Sequence, residues 1–192
     1  VRWRRGREYE DEDRAQTGPV VEPILTARLV LEPLRVEHAE EMLGVLAAPE
    51  LYTFIGGTPP TLPDLRARYR QMVAGPPAGR PVGWLNWVLR QQQDQRLTGT
   101  VQATIWPEPG GSAGSTFLRA SVAWVVGARW QGRGIATEAA RALIGWLQQH
   151  DVTAIMATIH PDNAASAAVA SRAGLVATAD MVDDEIVWVT AV

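Results

Sequence analysis

The sequence predicts a mixed α+β domain, with a central, mostly antiparallel sheet of about six to seven strands flanked by about four helices. Three observations carry that reading. Leu97 to Trp106 alternates Leu97, Val101, Ala103 and Ile105 with Thr98, Thr100, Gln102 and Thr104, and it follows a second strand-like run, Val82 to Arg90, across the polar turn Gln91 to Arg96. Such a hairpin is antiparallel. Ile135, Ala139, Leu143 and Leu147 recur at helical spacing over about four turns, with Ala136, Ala140 and Ile144 beside them. Val152 to Ile159 is apolar on both faces, as suits a central parallel strand.

The other elements follow in chain order. Leu29, Val30 and Leu31 mark a short strand within Arg28 to Pro33, and Val36, Ala39, Met42, Leu43 and Leu46 then recur at helical spacing until Pro49. Leu62, Leu65, Tyr69 and Met72 predict a second helix, with Thr61 as its N-cap and Gly75-Pro76-Pro77 as its end. After the hairpin and a Pro/Gly/Ser loop from Pro107 to Thr116, a strand runs through Val122 to Val126. Asn163 to Ala173 is a short helix closed by Gly174, and strands near Leu175 to Met181 and Glu185 to Val189 finish the chain. The predicted order is β-α-α-β-β-β-α-β-α-β-β, without internal repeats.

Residues 1–20 read as a disordered tail and 21–192 as one domain. The tail sets Arg2, Arg4, Arg5, Arg7 and Arg14 against Glu8, Glu10, Asp11, Glu12 and Asp13, so the net charge of −3 belongs to the domain. No apolar run has the length of a secretory signal or a membrane span. Zero cysteine excludes a disulfide scaffold, cysteine-ligated metal and a cysteine nucleophile. Lysine is absent too, which removes a P-loop lysine, a Schiff-base lysine and a lysine base. The acidic balance argues against nucleic-acid and membrane partners. A cytoplasmic location is expected.

The segment that carries chemistry is Val122 to Ala139, a strand, a glycine-rich turn and a helix. Gly132 and Gly134 let several amide N–H groups converge where the helix dipole also favours an anion. A tight turn needing glycine is the plainer alternative. A P-loop fails, because Arg133-Gly134 follows Gly132. Gly132, Gly134 and Thr137, with Asp151, match a dinucleotide fingerprint only in part, which leaves a nucleotide-binding oxidoreductase as a remote alternative.

A third pattern, [Gln/Arg]-x-x-Gly-x-[Gly/Ala], is matched by Gln131, Gly134 and Ala136. Here the chain resembles the GNAT superfamily of acyl-CoA N-acetyltransferases, and its RimJ/RimL-like branch in particular. The resemblance rests on Trp-Gln-Gly-Arg-Gly-Ile-Ala-Thr-Glu-Ala at 130–139, Leu-Thr-Ala-Arg-Leu-Val-Leu-Glu-Pro-Leu at 25–34, Leu-Thr-Gly-Thr-Val at 97–101, His-Pro-Asp-Asn-Ala-Ala-Ser at 160–166 and Ala-Gly-Leu at 173–175. It implies a splayed sheet with a cleft between Val122–Val126 and Ala154–Ile159. It also implies acetyl-CoA as cosubstrate, no metal, and a primary amine as acceptor, either a protein N-terminus or a small molecule. A homodimer is left open.

Carried over residue by residue, the resemblance places the CoA pyrophosphate on Gln131, Gly132, Arg133, Gly134, Ile135, Ala136 and Thr137. The pantetheine amides fall along the Val125 and Val126 backbone, with an N–H near Val125 facing the thioester oxygen. Asn163 would hold the pantetheine arm, and it serves equally as an N-cap. Many relatives carry a tyrosine where this chain has Ala170 and a glutamate where it has Ser121. Ser166, one turn before Ala170, is the candidate acid or sulfur partner, and a small residue packed under CoA is the alternative. His160 is the candidate proton relay. Trp84, Trp87 and Phe54 are the candidate acceptor-side residues. Because the tyrosine and the glutamate are missing, a non-catalytic acyl-CoA-binding module is the competing class.

Overall fold

The computed structural model describes residues 19–77, 83–107 and 118–190. Most of the predicted tail and the Pro/Gly/Ser loop lie outside the described residues, as does Val82. Eight strands form one sheet in the order β1-β2-β3-β4-β5-β6-β8-β7. They are β1 (Ile24–Leu25), β2 (Leu29–Pro33), β3 (Gly83–Gln91), β4 (Leu97–Pro107), β5 (Leu118–Val126), β6 (Val152–Ile159), β7 (Leu175–Val182) and β8 (Glu185–Thr190). Five α-helices accompany them: α1 (His38–Val45), α2 (Tyr52–Ile55), α3 (Leu62–Ala74), α4 (Ile135–Gln149) and α5 (Ala164–Arg172). Every pairing is antiparallel except β5 with β6.

Each predicted element is present. Beyond them come the two-residue β1 and, after Pro49, a 3-10 turn (Pro49–Leu51) that runs into the single turn of α2. Both are too short for a hydrophobic period to show. The Thr61 hydroxyl caps α3 by accepting from the Asp64 N–H (3.4 Å), as predicted. Gly174 closes α5 at φ +93°, which suits a residue without a Cβ.

Two helical layers hold the sheet between them. Trp87 of β3 meets Trp146 of α4 edge to face at 5.2 Å, so α4 covers the face that also carries Leu85 and Leu89. On the other face Glu32 and Val88 are cross-strand partners, and α1 is tied there by His38 Nε2 to Glu32 (3.4 Å) and by Arg90 to Glu41 (3.3 Å). Burial presses the His38 imidazole below its ordinary pKa, Arg35 and Arg90 push the same way, and Glu32 opposes them.

The pairing of β5 with β6 positions the site. It holds only from Leu118↔Val152 to Ser121↔Met156. Beyond that, β6 keeps only β8, on its opposite edge, from Met156↔Val189 to Ile159↔Ile186, while β5 continues along β4 to Val126. The two parallel strands therefore part. The predicted cleft opens later on the β6 side than the sequence suggests, because Ala154 and Ile155 are still paired with Arg119 and Ala120.

Candidate active site

The wedge between the parted strands is a cavity of about 440 Å³, walled by Trp124, Val125 and Val126 of β5, by the loop from Trp130 to Gly134, by the first turn of α4 and by Asn163 to Arg172 along α5. Its mouth is closed on one side by Glu50, Leu51, Phe54 and Ile55.

Hydrogen bonds show which main-chain groups of β5 face this space. Successive residues of a strand turn their N–H and C=O to opposite neighbours. The Gly127 N–H donates to the Thr98 carbonyl on the β4 side (2.9 Å), and the Leu118 N–H donates to the Asp151 carbonyl on the β6 side (3.3 Å). The Gln131 amide donates to the Val126 carbonyl (3.0 Å). All three fix one parity. Odd-numbered residues of β5 pair with β4, and the even-numbered Trp124 and Val126 present their main chain where β6 has departed. Val125, expected from the resemblance to present its N–H, lends its backbone to β4 instead, and Trp124 takes that place.

Close approach of β4 supports this edge. Gly99 stands opposite Val126, and a Cβ on it would overlap the Val125 carbonyl oxygen and lie 3.0 Å from Val126 Cα. Only glycine fits there.

The cleft ends on the predicted glycine loop. Gly132 (φ +71°) and Gly134 (φ +76°) are left-handed, and Gly134 is the N-cap of α4. The Glu138 N–H takes the Gly134 carbonyl (3.0 Å), so the amides of Ile135, Ala136 and Thr137 have no acceptor within the helix. They sit at its positive end, and an anion there meets donors without any lysine. Arg28 braces the loop from the start of β2. Its Nη1 donates to the Arg133 carbonyl (3.0 Å), and its Nε and Nη2 each lie 2.6 Å from Glu138 Oε2. Burial works to raise the Glu138 pKa. Hydrogen bonds from the Thr26 hydroxyl, the Arg28 N–H and the Arg28 guanidinium, with that cation's charge, outweigh burial and hold the carboxyl below its ordinary value.

Along α5, Asn163 is the N-cap, its Oδ1 accepting from the Ser166 N–H (3.1 Å). Asn163 also lines the cleft, and the cap uses Oδ1 alone, so capping and ligand binding by the amide group can use different atoms. Ser166 lines the cleft, whereas Ala170 is wholly buried. The two do not share a face toward the cavity, since beyond Ser166 the α5 residues that reach it are Ala168, Val169 and Arg172. Ser121 is paired with Thr104 and Met156 inside the sheet.

His160 stands beside the mouth, its ring 5.4 Å from that of Phe54. Nδ1 accepts from the Asp162 N–H (3.1 Å), which ties the ring to its own loop. It is not among the cleft-lining residues. Two acceptor-side expectations also need correction. Trp84 and Trp87 project from opposite faces of β3. Trp87 is core, fully buried, with Nε1 donating to the Glu22 carbonyl (2.8 Å), and Trp84 is not in the cleft lining. Phe54, 39% exposed, is the one of the three at the cleft. Trp124, Leu51 and Ile55 were not singled out from the sequence, because only the strand parity and two short helical turns bring them there. Asp151 follows α4, whose 15 residues span about 22 Å, so it cannot join Gly134 around one nucleotide.

A cleft that takes an extended ligand along an open strand edge and ends on amide-lined anion donors suits a transferase whose group carrier has a phosphate tail. The profile of the acetyltransferase (GNAT) domain matches residues 28–176. The chain belongs to the GNAT acetyltransferase family. No curated protein matches the sequence significantly. Among solved structures, an acetyltransferase from Agrobacterium tumefaciens str. C58 is similar at 23% identity and TM-score 0.64, covering 93% of this chain and 99% of that one. AAC(6')-Ib, solved with Parmomycin and acetyl-CoA, is similar at 20% identity and TM-score 0.65, covering 84% and 92%. A protein described as a ribosomal-protein-serine acetyltransferase from Vibrio cholerae matches at 19% and 0.63, covering 88% and 96%. At these identities the likeness is one of fold. Among the described residues there is no group of side chains that could hold a metal ion, and no helix is long and apolar enough to cross a membrane.

Proposed function

We propose that the protein is an N-acetyltransferase that moves the acetyl group of acetyl-CoA directly to a primary amine, with both reactants bound together. The observation that carries this is the edge of β5. Trp124 and Val126 face a cleft that runs onto the open amides at the start of α4, which suits a pantetheine arm and a pyrophosphate in series. Acetyl-CoA supplies an activated acyl group. The Trp124 N–H faces the cleft where charge grows on a thioester oxygen, and Val126 and Asn163 Nδ2 hold the arm. The amine nitrogen bonds to the acyl carbon, the C–S bond breaks, and the sulfur gains a proton from Ser166 or a water that Ser166 holds. Water takes the proton from the amine, since His160 does not line the cleft. Holding both reactants in one cleft supplies most of the rate.

The acceptor side supports a protein N-terminus or a small amine. The RimJ/RimL-like wording at residues 130–139 favours the former, in the cytoplasm, while the neighbour solved with Parmomycin shows the fold serving a small molecule. A specific feature favours a second reading, that of a non-catalytic acyl-CoA-binding module: position 170 is a wholly buried alanine and position 121 is a serine within the sheet. Calorimetry with acetyl-CoA, paired with thiol release over a panel of N-terminal peptides and polyamines, separates the two. Binding with turnover supports the enzyme, binding with none across the panel favours the module, and no binding refutes both.

A further inference from the structure

Five polar side chains lie on the sheet face that turns away from α4. Trp87 points to α4, so alternation along β3 sends Asn86 to the opposite face. Cross-strand pairing carries that face on through Gln102, opposite Asn86, and through Thr104, opposite Ser121 of β5, while Thr100 lies two residues from Gln102. All five are half-buried. None makes a side-chain hydrogen bond to a described residue, and none of their polar atoms is shut off from solvent. A face left only to water carries charge, since about a quarter to a third of surface positions are charged. On this face of β3, β4 and β5 the charges stand at the ends: Arg90 is tied to Glu32 and Glu41, and Arg119 lies over the Trp106 ring (5.1 Å). No carboxylate stands between them on these strands. Ser121 is also the last residue of β5 paired with β6, and Ala123, two further along the same face, is exposed. The neutral row therefore ends at the fork of the sheet, beside Trp124.

Resting on the proposed function, we infer that this row binds the main chain of a peptide acceptor, so that the substrate is a peptide amino terminus and not a polycationic amine. Each peptide group is neutral and offers one donor and one acceptor, which the amides of Asn86 and Gln102 and the three hydroxyls match in kind. A polycation is recognised by several opposite charges, and the row supplies none. Neighbouring strands lie about 4.8 Å apart, so the two steps from β5 to β3 cover about 10 Å, the length of about three extended residues. An amine held at the fork thus leaves the peptide groups that follow it over Ser121, then Thr104 or Gln102, then Asn86.

The test is thiol release at saturating acetyl-CoA over alanine amide, the alanine di-, tri- and tetrapeptide amides, and spermidine. For wild type, kcat/KM should rise about tenfold or more from the amide to the tetrapeptide, as a few added hydrogen bonds allow. The gain should lie in KM, because the row touches no reacting atom. In Asn86→Ala/Gln102→Ala the ratio of tetrapeptide to amide should approach one. Should that variant not fold, wild type decides with a tetrapeptide methylated on its peptide nitrogens, which should lose the gain. A kcat/KM that is flat with length, spermidine preferred to the tetrapeptide, or a gain that survives the double substitution or the methylation overturns the peptide site and leaves the acetyltransferase reading intact. No thiol release with any amine overturns that reading and the row with it.

Discussion

Replacing Gly99 by alanine should damage the site from behind without touching any ligand. The added Cβ would overlap the Val125 carbonyl oxygen, and it would lie 3.0 Å from Val126 Cα and 3.2 Å from the Val125 carbonyl carbon. All three atoms are backbone, so no rotamer change can relieve the clash. A relaxed C···O approach is about 3.3 Å, which asks β5 to retreat from β4 by about 1 Å at Val125. Overpacking of this kind costs about 1–3 kcal/mol, and at about 2–4 °C per kcal/mol for a domain of this size, Tm falls by roughly 2–12 °C. The displaced residues, Trp124 and Val126, are the ones whose main chain faces the cleft. A shift of about 1 Å in a positioning group costs up to about 100-fold in kcat. Thermal unfolding by circular dichroism and thiol release at saturating acetyl-CoA measure the two effects. Gly145→Ala is the control. It sits inside α4 with nothing within 4 Å of its would-be Cβ, and the same chemical change should stabilise by about 0.5–1 kcal/mol at unchanged kcat. If Gly99→Ala behaves like Gly145→Ala in both assays, the close approach of β4 is not what shapes the cleft.

Three other outcomes follow from single groups. Ser166→Ala should lower kcat at saturating acetyl-CoA by about tenfold or more with little change in acetyl-CoA affinity, and an unchanged kcat removes Ser166 from the chemistry. Tyr69→Phe should leave Tm unchanged or raise it. Burial, opposed by Arg68 and reinforced by Tyr52, pushes the Tyr69 phenol up to about 12, and its hydroxyl has no hydrogen-bond partner among the described residues, so a loss of more than about 1 kcal/mol would reveal one. Stability should fall on acidification in two windows, because both His38 and Glu138 have folded pKa values below their unfolded ones. Such groups contribute fully above the unfolded value and lose the contribution as pH falls, from about 6.5 for His38 and about 4.5 for Glu138. His38→Gln should flatten the first window and Arg28→Ala the second, both read from urea midpoints against pH, and an unaltered slope in either variant refutes the assignment.

The fold was legible wherever a period had room to repeat. The fifteen residues of α4, the hairpin β3–β4 and the both-faced apolar run of β6 each span several repeats. Where the element is one turn long, as in α2, there is no period to read. That turn and the 3-10 turn before it carry Glu50, Phe54 and Ile55 to the mouth, so the acceptor side was the least legible part of the site. Tryptophan misled for a related reason. Trp84 and Trp87 are three apart in a strand, which puts them on opposite faces, and large aromatic residues are claimed by the core more often than by a ligand.

The loop and the strand edge were legible to different depths, and the difference is physical. At the loop the chemistry lies in backbone amides that glycine frees, so Gly132 and Gly134 in the sequence announce it directly. At the strand edge the chemistry also lies in the backbone, but nothing in the residues Trp124, Val125 and Val126 says which of them turns its N–H outward. That depends on the register with β4, on the hydrogen bond from Gly127 to Thr98, and on the pairing of β5 with β6 ending at Met156. A shift of one residue in that register would exchange Trp124 and Val126 for Val125 and would turn the cleft-facing donors into the core ladder. In the proposed reading the position of the acyl group is therefore set less by the side chains that line the cleft than by the pairing beneath it, and Gly99 is where a single side chain can test that pairing.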